Sequence, residues 1–171
     1  MSKSEIYSKK ELILMIGPTM SGKSYYINNH LIRNYQIISE GHIASAMQYE
    51  NVPKDEDFKY AIMSVIARAH MLRGLPIVVD ESNLTIESLF IWKRYAFEYK
   101  YKIKGIVLDT PLKICLERLE SSLKHENLVE GIIKNLKSEY ERFKEIKLIL
   151  NMKYQNVIDD FEVVSYEDGG N

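Results

Sequence analysis

An apolar run, a glycine-bounded turn and an uninterrupted helical stretch follow one another near the beginning of this chain. Residues 12–16 are continuously apolar, which is typical of a buried strand in a parallel sheet. Residues 17–24 read Gly-Pro-Thr-Met-Ser-Gly-Lys-Ser and fit the phosphate-loop pattern G-x-x-x-x-G-K-S/T. Residues 23–33 contain neither glycine nor proline and can continue as a helix. This order predicts an α/β fold in which a phosphate-binding loop leaves the first strand.

The chemistry of this loop predicts a site for a polyphosphate. Glycine at positions 17 and 22 permits backbone angles and close approaches that a side chain would block. Successive amide N–H groups can then surround phosphate oxygens, assisted by the positive end of the following helix. We expect Lys23 to bridge the β- and γ-phosphates of ATP and the Ser24 hydroxyl to ligate Mg²⁺. The predicted nucleotide-binding residues are Gly17, Pro18, Thr19, Met20, Ser21, Gly22, Lys23 and Ser24.

Length and composition favour one globular domain over residues 1–171, because 46% of the residues are hydrophobic and 27% are charged. No apolar run approaches the length of a membrane span, and the polar first residues lack the apolar core of a signal peptide. The lone Cys115 excludes an internal disulfide, and the four histidines lack metal-ligand spacing. We expect a cytoplasmic protein without a zinc site, and composition leaves a homo-oligomer open.

The net charge of −1 argues against a grip on a long nucleic-acid backbone. Any nucleic-acid partner is expected to be held at an end or over a few nucleotides.

Apolar runs alternate with helical patterns along the whole chain. This alternation predicts a parallel five-stranded sheet sandwiched between helices, with a core over residues 11–164. A polar stretch without periodicity predicts a short lid at about residues 119–128. The predicted strands cover residues 12–16, 35–39, 75–80, 103–108 and 156–164, and the main helices residues 23–33, 58–72, 86–99 and 128–143.

Polar residues follow the predicted strands at the edge where ligands bind in open parallel sheets. Asp80 closes an apolar strand and is our candidate for holding Mg²⁺, with Glu81 as the alternative at the same strand end. Asn83 has two readings, as an acceptor-binding residue or as the N-cap of the next helix. Asp109 is expected to cap a helix.

Glu40 is the candidate general base, the alternative being a solvated loop glutamate. We expect Arg118 to act in catalysis and ATP binding by closing over the phosphates, with Lys124 and His125 available in the lid. Cys115 is expected in the core, on an apolar helix face. The predicted acceptor-side residues are Glu40, Asp80, Asn83 and Lys124.

With these residues in place, the chain from position 11 to 164 resembles the P-loop kinases of the polynucleotide kinase type. The resemblance lies in residues 38–40 (Ile-Ser-Glu), 80–83 (Asp-Glu-Ser-Asn) and 108–111 (Leu-Asp-Thr-Pro), in Arg118 and in residues 138–143. It implies ATP, Mg²⁺ and a 5′-hydroxyl acceptor on a nucleic-acid end or a nucleotide-like molecule. It also implies that Glu40 is the general base.

Several positions depart from the family pattern. Three positions at which that family usually has an arginine hold other residues here: Ile43, a position near Ser122, and one within residues 87–89. The general base, an Asp in that family, is Glu40 here. The added methylene moves the carboxylate, and such a displacement can cost ~10²-fold in rate. Two other functions therefore stay open: a small-molecule or nucleoside (monophosphate) kinase, and a nucleotide-binding protein without catalysis.

Overall fold

A parallel β-sheet forms the centre of the molecule. A computed structural model describes residues 9–46, 56–122, 129–152 and 157–166. Within these residues the sheet has five strands in the order β2-β3-β1-β4-β5, and every pairing is parallel. The strands are β1 (Glu11–Ile16), β2 (Gln36–Ser39), β3 (Ile77–Asp80), β4 (Lys102–Asp109) and β5 (Asp160–Ser165).

Helices connect the strands and cover both faces of the sheet. The first helix is short and continues as a π-helical segment at Ile27–Leu31. The α-helices are α1 (Lys23–Tyr26), α2 (Glu40–Ala46), α3 (Glu56–Leu72), α4 (Ile86–Tyr99), α5 (Leu112–Ser122) and α6 (Val129–Leu150). Among the described helices, none is both long and apolar enough to cross a lipid bilayer.

The central strand β1 is apolar on both faces because helices bury it from both sides. Leu12, Leu14 and Ile16 point into a cluster with residues of α3, α4 and α6, among them Met63, Trp92 and Phe143. Ile13 and Met15 point the other way, against Ile27 and Leu31. A smaller cluster joins α5 to α6 through Cys115, Leu119 and Leu136. This packing fixes the carboxyl ends of β1, β3 and β4 side by side.

The predicted fold class is confirmed, and the differences lie at element ends. Helix α6 continues to Leu150 instead of ending near residue 143, because Ile146 and Leu150 extend its buried face. Strand β5 begins at Asp160, later than predicted. Glu40 starts α2 directly after β2, where a polar loop was expected. Of the predicted lid, residues 119–122 complete α5, and residues 123–128, with Lys124 and His125, lie outside the described residues.

Candidate active site

The phosphate loop joins β1 to α1 in a conformation that requires glycine at two positions. A Cβ atom on Gly17 would lie 2.8 Å from Ser21 Oγ and 3.2 Å from the Leu108 carbonyl oxygen. Gly22 has φ 101°, a left-handed angle that side chains disfavour. The Gly17 N–H donates to the Ser82 carbonyl at 3.1 Å, which ties the loop to the segment after β3. The sequence pattern therefore corresponds to a tightly folded loop.

Lys23 folds back over this loop. Its Nζ donates to the Gly17 carbonyl at 3.0 Å and to the Pro18 carbonyl at 2.9 Å. Burial lowers the pKa of the Lys23 ammonium, while the nearby carboxylates of Asp80, Glu139 and Glu81 act in the opposite direction. An anion in the loop would add a further favourable partner for this charge.

Ser24 and Asp80 meet at the ends of two neighbouring strands. The Ser24 hydroxyl donates to Asp80 Oδ2 at 2.8 Å, so the strand-end acid Asp80 contacts the loop. Both supply oxygen atoms, which Mg²⁺ prefers as ligands. The described residues contain no cluster of three or more acidic, histidine or cysteine side chains around a common point. Two oxygen ligands from the protein are compatible with a Mg²⁺ site, in which water and phosphate oxygens supply the other ligands.

Thr110, just before α5, and Arg118, within α5, contact the phosphate loop from the other side. The buried Thr110 hydroxyl donates to the Ser21 carbonyl at 2.7 Å, a contact the sequence did not predict. Arg118 Nη1 donates to the Met20 carbonyl at 3.0 Å, and its guanidinium lies 5.5 Å from the centre of the Tyr166 ring. Arg118 thus lies beside the phosphate loop, between the loop and Tyr166.

The segment after β3 excludes one of the two readings of Asn83. Thr85 is the N-cap of α4, since its Oγ1 accepts from the Ser88 N–H at 3.1 Å, so the capping reading of Asn83 was wrong. Asn83 has φ 48° and donates through Nδ2 to the Met15 carbonyl at 2.8 Å. Its buried Oδ1 has no hydrogen-bond partner within the described residues. Buried acceptor oxygens usually have a hydrogen-bond partner, so this unpaired oxygen is an unusual feature of the site.

A cavity of about 320 Å³ opens beside the phosphate loop, beyond the ends of β2 and β3. We call it the acidic cavity. Its walls come from the start of α2, from α3, from the segment after β3, and from α4 and α6. The lining residues are Glu40, Tyr60, Glu81, Ser82, Asn83, Leu84, Thr85, Ser88, Glu139 and Arg142.

Glu40 stands at one wall of the acidic cavity. As the first residue of α2 it is placed by β2, and its backbone N–H donates to Glu81 Oε1 at 2.8 Å. Glu81 therefore faces α2. Asp109 does not take the capping role we predicted; it pairs with Lys147 of α6 at 2.5 Å. The structure brings Glu40, Asp80 and Asn83 to one edge of the sheet with the phosphate loop.

Two site residues on α6 were missed at the sequence level. Glu139 Oε2 accepts from the Thr19 N–H of the phosphate loop at 2.7 Å and also lines the acidic cavity. Arg142, three residues later, lines the same cavity. Their spacing places them on one helix face, which the sequence does show. Which way that face points depends on how α6 packs, and the sequence alone does not give this.

Comparisons with known proteins agree with this architecture. A family model described as an AAA domain matches residues 12–143. A protein of Acanthamoeba polyphaga mimivirus, named as a bifunctional polynucleotide phosphatase/kinase, is 28% identical over 105 residues. That match covers 60% of this chain and 22% of the mimivirus protein, so the similarity spans about a fifth of the relative's length.

Two solved structures share the fold. A Chloroflexus aurantiacus protein named as a kinase aligns with a TM-score of 0.62 at 9% identity, over 92% of this chain and 88% of its own. A chain of the Pnkp1/Rnl/Hen1 RNA repair complex aligns with a TM-score of 0.57 at 20% identity, over 83% of this chain and 49% of its own. The resemblance to kinases of the polynucleotide type, first seen in the motifs, is confirmed.

Proposed function

The chain belongs to the AAA domain family, and we propose that it is an ATP-dependent kinase that phosphorylates a hydroxyl group bound in the acidic cavity. The acceptor we propose is the 5′-hydroxyl of a nucleic-acid end or of a nucleotide-like molecule. One observation supports this function above all others: the acidic cavity adjoins the phosphate loop. Ser82 lines the cavity and accepts the Gly17 N–H, and Glu139 lines it and accepts the Thr19 N–H.

The phosphate loop is the donor side of this proposal. Its amides and the Lys23 ammonium would hold the β- and γ-phosphates of ATP, as in other loops of this pattern. Ser24 and Asp80, 2.8 Å apart, would hold Mg²⁺. When bound there, the ion would neutralise charge on the phosphate oxygens. Arg118, already within 3.0 Å of the Met20 carbonyl, would bring a second positive charge to the transferred group.

The acidic cavity is the acceptor side. The acceptor oxygen attacks the γ-phosphorus, the bond from that phosphorus to the β-bridging oxygen breaks, and ADP leaves. The hydroxyl proton passes to the Glu40 carboxylate as the new P–O bond forms. Asn83 Oδ1, a buried acceptor atom without a hydrogen-bond partner among the described residues, would accept a hydrogen bond from the substrate.

The nucleotide nature of the acceptor rests on two further points. The mimivirus relative is named as a polynucleotide phosphatase/kinase, although the match covers 22% of its length. The net charge of −1 suits a protein that holds the end of a strand and not its length. The proposed single catalytic domain covers residues 1–171.

The test is phosphate transfer from γ-labelled ATP to a panel of acceptors: oligonucleotides with 5′-hydroxyl ends, nucleosides and sugars. We expect transfer to the 5′-hydroxyl ends. Glu40→Gln should lower kcat by about 10²–10⁴-fold while leaving ATP affinity unchanged, because it removes a proton acceptor and not a nucleotide contact. Glu145→Gln, an exposed glutamate on α6, is the matched control.

Two outcomes would contradict the proposal. Full transfer by Glu40→Gln would exclude Glu40 as the base. Tight ATP binding without transfer to any acceptor on the panel would favour a nucleotide-binding protein without catalysis, and Lys23→Ala would then abolish the binding itself.

A further inference from the structure

Helix α3 carries apolar side chains on two opposite sides. One side packs into the core of the molecule through the buried residues Met63, Ala67 and Met71. The other side carries apolar residues at alternating steps of three and four, the spacing that keeps side chains on one face of a helix. We call this row the outer seam, and it consists of Ile62, Val65, Ala69 and Leu72.

The outer seam is largely exposed. Val65 is 65% exposed and Leu72 is 74% exposed. Ala69 is exposed as well, and Ile62 is half-buried. A surface helix normally directs charged and polar side chains away from the core. An apolar row that continues over about 15 Å of helix is therefore suited to contact with another apolar surface.

The charges along α3 indicate which kind of surface would cover the seam. Residues 58–79 contain no Asp or Glu, although the whole chain has a net charge of −1. Arg68 within α3 and Arg73 directly after it are exposed, and they stand on the two sides of the seam. In paired helices such flanking positions face those of the partner, and opposite charges there select the partner. A partner of this seam should therefore carry Asp or Glu beside its apolar residues.

Two other occupants fit these charges less well. A second copy of this chain would set arginine against arginine across the seam, whether the two helices ran parallel or antiparallel. A surface of anionic lipid is typically bound through a cluster of about four to eight Lys or Arg residues. Residues 58–73 contain three of them, Lys59, Arg68 and Arg73.

We propose that the outer seam of α3 is a docking site for an acidic amphipathic helix of a partner protein. The partner helix places large apolar side chains over Val65 and Leu72, and the small Ala69 leaves room for one of them between these two residues. Its Asp or Glu residues pair with Arg68 and Arg73. None of the seam residues lines the acidic cavity, so docking requires neither ATP nor an acceptor and does not depend on the proposed kinase function.

The test uses a designed peptide as the probe. The acidic peptide has about three heptads, with Leu at the two apolar positions of every heptad and Glu at the positions that flank them. The basic control peptide has Lys in place of each of these Glu residues. Fluorescence anisotropy at low salt, without nucleotide, measures binding of the labelled peptides. We expect a Kd below about 100 µM for the acidic peptide and at least tenfold weaker binding of the basic one.

Two variants separate the apolar contacts from the charges. Val65→Glu should weaken binding of the acidic peptide at least tenfold, because it places a carboxylate in the apolar row. Arg73→Glu should weaken binding of the acidic peptide and strengthen binding of the basic one, each by about threefold. Arg68 is less decisive, since its Nε already donates to the Tyr99 hydroxyl at 3.2 Å. Phe97→Glu, at an 86% exposed position of α4 outside the seam, is the matched control and should leave both affinities unchanged.

An unchanged melting temperature shows that each variant is folded. Equal affinity for the acidic and the basic peptide, or equal losses in Val65→Glu and Phe97→Glu, would overturn the proposal. Binding to phosphatidylglycerol vesicles that is lost in Val65→Glu, without binding of either peptide, would identify a membrane surface instead. A dimer in sedimentation velocity that Val65→Glu dissociates would assign the seam to a second copy of this chain.

Discussion

Among single residues, Cys115 shows how burial determines the reactivity of a side chain. The side chain is 0% exposed and packs with Leu119 and Leu136 between α5 and α6. Burial raises the pKa of its thiol from 9.0 to about 11, although the positive charges of Arg118 and Lys23 act in the opposite direction. The thiol is therefore a core side chain, as its place on an apolar helix face predicted.

A prediction follows for thiol reactivity. Because the thiolate is the reactive form and the pKa is raised, the native protein at about pH 8 should hold ~100-fold less thiolate than a free cysteine. Iodoacetamide should label native Cys115 at least this much more slowly than the same protein in urea. Mass spectrometry of the alkylated chain gives both rates. Equal rates in the two states would mean that this part of the core opens readily.

For single residues of the site, the local sequence identifies some positions and not others. The positions of Lys23, Ser24 and Asp80 could be predicted because a fixed loop pattern and a strand end determine where their side chains lie. Asn83 had two readings, and the capping reading was wrong because Thr85 caps α4, with its Oγ1 accepting from the Ser88 N–H. Glu139 has no local signal at all: an acidic residue on a long helix is usually solvated, and its contact with Thr19 N–H spans 120 residues.

At the scale of an element, α6 places a negative charge on the phosphate loop. Glu139 accepts the Thr19 N–H, so a bound polyphosphate meets a carboxylate at this edge of its site. Glu139→Gln keeps an oxygen acceptor and removes the charge. We expect it to tighten ATP binding about 3–10-fold, corresponding to ~1 kcal/mol of relieved repulsion near a protein surface. Titration calorimetry with ATP and Mg²⁺ measures the change.

The matched control for this charge is Glu145→Gln, on the same helix but outside the cavity lining. Its ATP affinity should not change. Weaker ATP binding in Glu139→Gln would show that the carboxylate supports the loop conformation and does not oppose the nucleotide.

Replacing glycine by alanine should change the stability of the protein in opposite directions at two positions, one on β4 and one on α6. A Cβ on Gly105 of β4 would lie 2.8 Å from Ile158 Cδ1 and 3.2 Å from Phe161 Cβ, whereas a Cβ on Gly131 of α6 would meet nothing within 4 Å. Gly105→Ala should lower the free energy of unfolding by about 1–3 kcal/mol through overpacking. Gly131→Ala should raise the free energy of unfolding by about 0.5–1 kcal/mol, because alanine favours the helix.

Thermal unfolding checks this pair. For a chain of this length each kcal/mol shifts the melting temperature by about 2–4 °C. We expect a lower melting temperature for Gly105→Ala and a higher one for Gly131→Ala. Two shifts of the same sign would contradict the packing described around β4.

At the scale of the whole molecule, the layer architecture could be predicted from the sequence, but the residues at which the helices and strands end could not. Alternating apolar runs and helical patterns require a parallel sheet covered on both faces, and that requirement is global. The end of α6 depends instead on whether Ile146 and Leu150 find a surface to pack against. The order of the strands and the direction of the α6 face are likewise settled by packing, which explains why Arg142 could not be placed beforehand.

The charge of the whole molecule leads to a prediction about nucleic-acid length. The net charge is −1, and among the residues that line the acidic cavity in the described chain, Arg142 is the cation. If one phosphate is neutralised, log Kd for a single-stranded oligonucleotide should change with log salt by a slope of about 0.7. Adding nucleotides beyond the first two should change affinity less than about threefold, because the described residues that line the cavity offer a further phosphate no second fixed cation.

Fluorescence anisotropy with 5′-hydroxyl oligonucleotides of increasing length, over a range of salt concentrations, measures both quantities. In Arg142→Gln the slope should fall toward zero, while Arg33→Gln should leave it unchanged. A slope several times larger that grows with oligonucleotide length would place an extended basic track on this protein. Such a track would contradict end recognition, since every phosphate along it would release counterions on binding.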